Sequence, residues 1–246
     1  MTAPDRRVET VTMGAHPLWG DDWEAVRRLW LLDPAVAHCN HGSYGAVPAA
    51  VLAAQEELRR RMAANPVSWF ERELPGQVTA ARAEIARFLG AEPGDVALVS
   101  NASAGVSAVC QSLALAPEDE VVCTDHGYGA VSNAIERLCA RTGAVRAIAR
   151  VPEESADDEV VEILSRHCSR RTRLVVLDEV TAPTARHFPV EAAARVAHGV
   201  GAAILVDGAH ALGMLPVQVP QLGVDFWVGN LHKWACAPAG AAALWV

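Results

Sequence analysis

The chain has 246 residues, which is long enough to bury the core of one large domain. Its formal net charge of −8 argues against nucleic acid or an anionic membrane as the main partner, because both are negatively charged. No apolar run is long enough to predict a membrane span, and residues 1–7 lack the apolar segment that follows the start of a signal peptide. We therefore expect a soluble, cytoplasmic protein whose six cysteines stay reduced.

The first third of the sequence is predicted to be mainly helical. Residues 1–36 are polar and contain tryptophan, and we interpret them as an N-terminal arm. Residues 37–246 form the predicted main domain, which starts with a turn-rich segment at 40–45, Asn-His-Gly-Ser-Tyr-Gly. Helices are predicted near Asp22–Leu31, from about Pro48 to Ala64, and from about Leu74 to Leu89 with Gly90 as its C-terminal cap.

From residue 95 onward, short apolar runs alternate with amphipathic segments. The predicted strands are Val96–Ser100, Glu120–Thr124, Val145–Arg150, Arg173–Leu177, Ala203–Val206, Phe226–Gly229 and Ala241–Val246. The predicted helices between them are Ala104–Leu115, Ala130–Thr142, Asp157–Ser169 and Val190–Val200. This alternation is typical of an α/β fold in which helices cover both faces of a mostly parallel sheet. Such sheets bind ligands at the carboxyl ends of their strands.

Two candidate binding segments follow the first two predicted strands. Small residues at 100–105, Ser-Asn-Ala-Ser-Ala-Gly, precede a helix whose free N–H groups can bind an anion, although an ordinary helix cap has the same pattern. The segment 124–129 contains His126 and Tyr128 beside glycines, which suits either stacking on a flat ligand or a solvated turn. Neither Gly-x-Gly-x-x-Gly nor a P-loop motif occurs, which argues against a dinucleotide or nucleoside triphosphate site.

Asp207 ends a predicted buried strand, and His210 follows three residues later. A buried carboxylate needs a cation or a strong donor as its partner, and a protonated pyridine nitrogen is one such partner. A metal ion held by Asp207 and His210 is the alternative, but the sequence offers no clear third ligand. We interpret the segment from His38 to His41 as a turn rather than a metal cluster, so no metal is predicted.

Lys233 is the single lysine of the sequence, in which twenty arginines supply the other long basic side chains. Arginine is always protonated, whereas a lysine amine can lose its proton and form a Schiff base with an aldehyde. Lys233 follows a predicted strand and is flanked by Asn230 and His232. An anion-binding helix start, an aromatic turn, a strand-ending aspartate and a lysine, in this order, form the arrangement that pyridoxal phosphate chemistry requires.

These segments resemble the class V aminotransferase family of fold type I pyridoxal-phosphate enzymes. The most specific parts are residues 206–210, Val-Asp-Gly-Ala-His, and residues 230–233, Asn-Leu-His-Lys. Segments 40–45 and 125–130 are similar to the isopenicillin N epimerase-like branch of that family. The resemblance extends from about residue 36 to residue 246, and it implies the large domain of that fold with pyridoxal 5′-phosphate as cofactor.

The resemblance also implies roles for individual residues. Lys233 would form the Schiff base and Asp207 would bind the ring nitrogen. Tyr128 would stack on the ring, with His126 as the second choice, and either is a candidate acid at the α-carbon. The residues implied to bind the cofactor, through its ring, its 3′-oxygen or its phosphate, are Ala102, Ser103, Tyr128, Asp207, His210, Asn230, His232 and Lys233.

The sequence departs from the family at two places. Ala182 occupies a position where many relatives have an asparagine or serine, so that cofactor contact is lost or passes to Thr181. The sequence also stops soon after Lys233, so we expect the small C-terminal domain to be absent and the large domain to be incomplete.

We expect an enzyme that acts on the α-carbon of an amino acid, by epimerase or lyase chemistry, and that forms a homodimer if the full-length fold is present. An aminotransferase or a cysteine desulfurase-type enzyme is an alternative. A truncated, catalytically silent remnant or partner-binding domain is another, because the sequence ends on an apolar run at 243–246.

Overall fold

The structure is a computed structural model that describes residues 22–246. The helices that precede the sheet are α1 (Trp23–Arg27), α2 (Ala49–Ala64), the single turn α3 (Pro66–Ser68) and α4 (Leu74–Leu89). A π-helical turn, Trp69–Glu73, joins α3 to α4 and was absent from the prediction. Most of the predicted N-terminal arm lies outside the described residues, and the division into arm and domain stays a prediction.

The first helix, α1, is shorter than the sequence predicts. The Asp22 carboxylate caps it by accepting the N–H of Ala25 at 2.9 Å, as expected for a helix start. The helix nevertheless ends after five residues, and Trp30 then forms an isolated antiparallel bridge with Pro48. The second half of the predicted helix is therefore wrong, because a contact between distant segments replaces local helical hydrogen bonds.

Seven strands form the sheet within residues 22–246. They are β1 (Val96–Val99), β2 (Glu120–Thr124), β3 (Val145–Ala149), β4 (Thr172–Asp178), β5 (Ala203–Asp207), β6 (Phe226–Asn230) and β7 (Ala242–Trp245). Their order in the sheet is β1-β7-β6-β5-β4-β2-β3. The pairs among β2 to β6 are parallel, and β7 alone runs antiparallel to its neighbours β1 and β6. The predicted, mostly parallel α/β sheet is confirmed.

Helices cover both faces of this sheet. The remaining helices are α5 (Ala102–Ser112), α6 (Gly129–Thr142), α7 (Asp157–His167) and α8 (Val190–Gly199). Helices α5 and α6 pack on one face around Val106 and Ile135, whereas α4, α7 and α8 pack on the other around Leu89 and Leu164. No helix among residues 22–246 is long and apolar enough to span a membrane.

Three neighbouring strands end in buried polar side chains at the same edge of the sheet. Asp178 ends β4, Asp207 ends β5 and Asn230 ends β6. Asp178 and Asp207 are direct partners in the parallel register, so their side chains start from adjacent positions. This edge is where an open parallel sheet places its ligands.

Candidate active site

A cavity of about 320 Å³ lies at this edge of the sheet, a size suited to a small ligand. Its lining residues are Ser43, Asn101, Ala102, Ser103, Tyr128, Asp178, Val180, Ala182, Asp207, Ala209, His210, Asn230, His232 and Lys233. The structure therefore brings together all the predicted site residues except His126. A larger hollow of about 600 Å³ between α5 and α6 is lined by none of them.

Lys233 reaches the cavity from the turn that follows β6. Its Nζ lies 2.9 Å from Nε2 of His210 and 5.9 Å from the centre of the Tyr128 ring. Burial lowers the pKa of the Lys233 amine, and the smaller effect of the Asp207 carboxylate opposes this change. A lowered pKa favours the uncharged amine, which is the nucleophilic form.

The turn that carries Lys233 packs closely against segment 40–45. A Cβ atom at position 45 would overlap the carbonyl oxygens of His232 and Lys233, so the close approach requires the glycine that is present. Segment 40–45 is held in shape by Asn40, whose amide nitrogen donates to Ser43 Oγ at 2.8 Å and whose Oδ1 accepts the Ser43 N–H at 3.0 Å. The N-terminal turn-rich motif thus supports the lysine turn.

Two buried carboxyl groups also line the cavity. Asp178 and Asp207 are 5% and 3% exposed. Burial raises the pKa of Asp178 to about 8, and the charge of Asp207 adds to the rise. Burial also raises the pKa of Asp207, but the Ala209 N–H, 2.9 Å from Oδ1, and the Lys233 amine oppose it. Because the charge of Asp207 raises the pKa of Asp178, whereas Asp178 is not among the groups that shift the pKa of Asp207, we assign the negative charge of the pair to Asp207 and the proton to Asp178.

His210 connects Lys233 to a tryptophan. Its Nε2 faces the lysine amine, and its Nδ1 lies 3.3 Å from the indole nitrogen Nε1 of Trp234, which donates to it. Burial lowers the pKa of His210 to about 4, with the positive charge of Lys233 as the smaller cause. The imidazole is therefore neutral at neutral pH.

The N-terminal end of α5 also borders the cavity. Asn101 caps the helix by accepting the N–H of Ala104 at 2.8 Å, and Asn230 accepts the N–H of Ala102 at 2.8 Å. The Ala102 N–H is thus already occupied, whereas the Ser103 N–H has no acceptor within residues 22–246. The geometry favours Ser103 for anion binding, and it gives Asn230 the role of tying α5 to the end of β6.

The two candidate stacking residues point to different places. Tyr128 lies at the start of α6, half-exposed, and lines the cavity. His126 instead places Nε2 2.7 Å from the carbonyl oxygen of Val151 and packs edge-on against Phe188 at 5.4 Å between ring centres. His126 therefore lies outside the cavity, and the geometry favours Tyr128 for stacking.

Thr181, to which the cofactor contact missing at Ala182 could pass, also points away from the cavity. Thr181 Oγ1 lies 2.7 Å from Thr184 Oγ1 and accepts the N–H of Arg186 at 2.9 Å, whereas Ala182 lines the cavity. The structure gives no support for a Thr181 contact in the cavity. Elsewhere in residues 22–246, no group of three or more His, Cys, Asp or Glu residues is placed to hold a metal ion.

The comparison with known families shows which family the chain belongs to. The sequence pattern of the family described as Aminotransferase class-V matches residues 45–246. The chain belongs to this family. The resemblance inferred from the sequence motifs is thereby confirmed, and the family is one of pyridoxal-phosphate enzymes.

Among curated class V relatives, an isopenicillin N epimerase of Streptomyces clavuligerus is 34% identical over 224 residues, which cover 91% of this chain and 56% of the relative. A probable chloroplastic L-cysteine desulfhydrase of Arabidopsis thaliana is 30% identical over 247 residues, covering 94% of this chain and 52% of the relative. The chain thus spans about half the length of these relatives.

Solved structures show the same fold. The cystine C–S lyase C-DES, in complex with cysteine persulfide, superposes with a TM-score of 0.80 at 24% identity, covering 87% of this chain and 58% of that one. A cysteine desulfurase from Thermococcus onnurineus gives a TM-score of 0.80 at 21% identity, covering 91% of this chain and 56% of that one. The predicted fold type I architecture is confirmed for this class V chain.

Sequence reasoning left out two residues that the structure places at the cavity or in contact with its lining. Asp178 was left out of the predicted site, although it ends a strand beside the one that Asp207 ends. Trp234 was left out as well, although it directly follows the lysine. In both cases the signal was the position in the chain, and only the three-dimensional contacts show which way the side chain points.

Proposed function

We propose that this chain binds pyridoxal 5′-phosphate in the cavity through Lys233 and acts at the α-carbon of an amino acid. One observation carries the proposal. The only lysine of the chain has its amine in a cavity, beside a neutral imidazole and with a buried carboxylate in the same lining. Burial lowers the pKa of this amine, and the uncharged amine is the form that binds an aldehyde.

The residues of the cavity fit the cofactor. Asp207 is buried with one backbone N–H donor, so a protonated ring nitrogen would supply a matching charge. The Ser103 N–H and hydroxyl at the start of α5 suit a phosphate group. Tyr128 supplies an aromatic face at the open side of the cavity.

Bound pyridoxal phosphate supplies an electron sink for the negative charge that develops at the α-carbon. The chain's own residues would manage the protons. Asp207 would hold a proton on the ring nitrogen, and Lys233 Nζ would remove the α-proton. Tyr128 is the candidate for returning a proton from another direction, since His126 lies outside the cavity.

The type of reaction is part of the proposal. Returning the proton to the opposite face would give an epimerase, and loss of a β-substituent would give a lyase. Both chemistries are supported by relatives of similar identity, named as an epimerase and as cysteine desulfhydrases. The proposal includes a homodimer, which is supported by α2, a sixteen-residue helix without a buried residue.

Reductive trapping tests the cofactor site. The protein is incubated with pyridoxal phosphate, reduced with borohydride and digested. Because the sequence has one lysine, a side-chain adduct identifies Lys233 without ambiguity, and the N-terminal amine is separated as a different peptide. We expect the adduct on the Lys233 peptide, and saturating cofactor without an adduct there would rule the proposal out.

Isotope exchange then separates the reactions. With an amino acid in deuterium oxide, an epimerase leaves deuterium at the α-carbon of its product, whereas the product of a lyase has no hydrogen at that carbon. An epimerase also changes the configuration at that carbon, whereas a lyase releases the β-substituent and a keto acid. A keto acid that retains the β-substituent would instead favour a transaminase.

A further inference from the structure

We infer that Trp234 is a positioning residue that fixes the tautomer of His210 and thereby holds Lys233 as an uncharged amine. The inference rests on the proposed function of Lys233, but it concerns the protein before any cofactor binds. It assigns Trp234, which lies outside the cavity lining, a part in preparing the nucleophile.

The direction of the first hydrogen bond is set by chemistry. An indole nitrogen can only donate, so the contact of 3.3 Å makes Nδ1 of His210 the acceptor. A neutral imidazole has one protonated nitrogen, and an acceptor at Nδ1 therefore places the hydrogen on Nε2.

The direction of the second hydrogen bond follows from the first. Nε2 of His210, carrying its hydrogen, lies 2.9 Å from Nζ of Lys233. An ammonium group has three hydrogens and no lone pair, so it cannot accept this N–H, whereas the free amine can. The Nε2–H tautomer therefore stabilises the uncharged form of Lys233 over the charged form.

Other groups around the amine also shift the balance between the free amine and the ammonium form of Lys233. Asp207 favours the ammonium form, and burial favours the free amine and is the larger cause. A protonated His210 would remove the acceptor from Trp234, but burial, the largest cause, keeps the pKa of His210 low, at about 4. Asp178, Tyr128 and His232 complete the titratable groups of the cavity.

Packing holds the tryptophan in place for this role. A Cβ at position 42 would lie 2.8 Å from Cε1 of His210 and 3.1 Å from Cζ2 of Trp234, so Gly42 leaves room for the pair. A Cβ at position 213 would lie 2.5 Å from the main-chain carbon of Trp234. On the other side, the ring of His41 packs at 5.7 Å between centres, tilted by 38°.

Trp234→Phe tests the inference because it removes the indole N–H and keeps an aromatic ring. His210 can then carry its hydrogen on Nδ1 and accept from a Lys233 ammonium group through Nε2. We expect the pKa of Lys233 to rise and trapping by pyridoxal phosphate at pH 7 to slow on the order of tenfold, as for the loss of one hydrogen bond. The rate should recover at high pH.

Trp245→Phe is the matched control. The Trp245 indole nitrogen is buried and has no hydrogen-bond partner among residues 22–246, so this variant removes an N–H that supports nothing in the site. We expect an unchanged trapping rate. Equal slowing in both variants would mean a general loss of packing and would overturn the inference.

Nuclear magnetic resonance of the cofactor-free protein tests the same inference without catalysis. Long-range ¹⁵N–¹H spectra report which imidazole nitrogen carries the hydrogen, and His210→Gln identifies the signals of His210. Reductive ¹³C-methylation adds one lysine signal, whose titration follows Lys233 alone. A hydrogen on Nδ1 in the unaltered protein, or a Lys233 titration that Trp234→Phe leaves unchanged, would overturn the inference. Failure of cofactor trapping on the unaltered protein would instead contradict the proposed function.

Discussion

The two sides of the cavity are built in different ways. On the acid side, Asp178 and Asp207 end paired strands, and the backbone ladder of the sheet fixes their positions. On the amine side, Lys233 stands on a turn, and its position depends on His210 and on the close packing of segment 40–45. The positions of the two carboxyl groups therefore follow from the pairing of the strands, whereas the position of the Lys233 amine follows from a few local contacts.

Replacing the nucleophile gives the largest expected effect on the amine side. Lys233→Arg keeps the positive charge but removes the amine that can lose its proton. We expect no trapped adduct with pyridoxal phosphate and a fall in cofactor-dependent turnover of more than about 10³-fold. Mass spectrometry of the Lys233 peptide and amino acid turnover measure the two effects, and normal turnover would contradict the assignment.

Replacing Asp207, the charged residue of the acid side, should leave the trapping of pyridoxal phosphate on Lys233 unchanged and should lower the rate of turnover. Asp207→Asn keeps the size of the side chain but removes the charge that would hold a proton on the ring nitrogen. We expect a fall in turnover of about 10²–10³-fold, the size found when one stabilising group of a transition state is lost. The Lys233 adduct should still form, which separates the two sides. An unchanged rate would remove Asp207 from this role.

Asp178 should make stability depend on pH. Its pKa is raised from 3.8 to about 8, so the folded state binds this proton more tightly than the unfolded state. Its contribution is therefore complete below pH 3.8 and is lost as the pH rises through about 8, by at most about 1.4 kcal/mol per pH unit. The free energy of unfolding of the unaltered protein should fall over this range.

Asp178→Asn should remove that dependence. At pH 8.5 we expect the variant to be more stable than the unaltered protein by about 1–3 kcal/mol, because no carboxylate has to ionise in the core. Urea unfolding from pH 5 to pH 9 measures the difference. The exposed Glu118→Gln is the control, and a pH profile of Asp178→Asn that matches the unaltered protein would show that Asp178 is not the source.

Residues at strand ends were easier to predict from the sequence than the directions of side chains in turns. Alternating apolar strands and amphipathic helices leave local patterns, and the strand-end rule then brings Asp207 and Asn230 to one edge. The direction of a side chain within a turn leaves no such pattern, so His126 could not be separated from Tyr128 before the structure. The Trp234–His210 hydrogen bond joins residues 24 apart and follows no periodicity.

Similar limits apply to the helical region before the sheet. The end of α1 depends on the bridge between Trp30 and Pro48, which is a tertiary contact. The π-helical turn at Trp69–Glu73 continues a helical segment without a break in the sequence pattern. Local propensity is a weak guide where tertiary contacts decide the backbone.

The smallest expected effect tests the packing behind the amine side. In Gly42→Ala, the new methyl group meets the His210 and Trp234 rings at 2.8 and 3.1 Å, so these rings must shift. We expect a loss of about 1–2 kcal/mol in the free energy of unfolding, together with slower trapping at Lys233.

Gly76→Ala is the matched control, since nothing lies within 4 Å of its added methyl group and alanine favours the α4 helix. Gly76→Ala should instead raise stability, by up to about 1 kcal/mol, without changing trapping. Equal trapping rates in the two variants would mean that Lys233 keeps its reactivity when the His210 ring is displaced. The local contacts of His210 would then not be what prepares the amine.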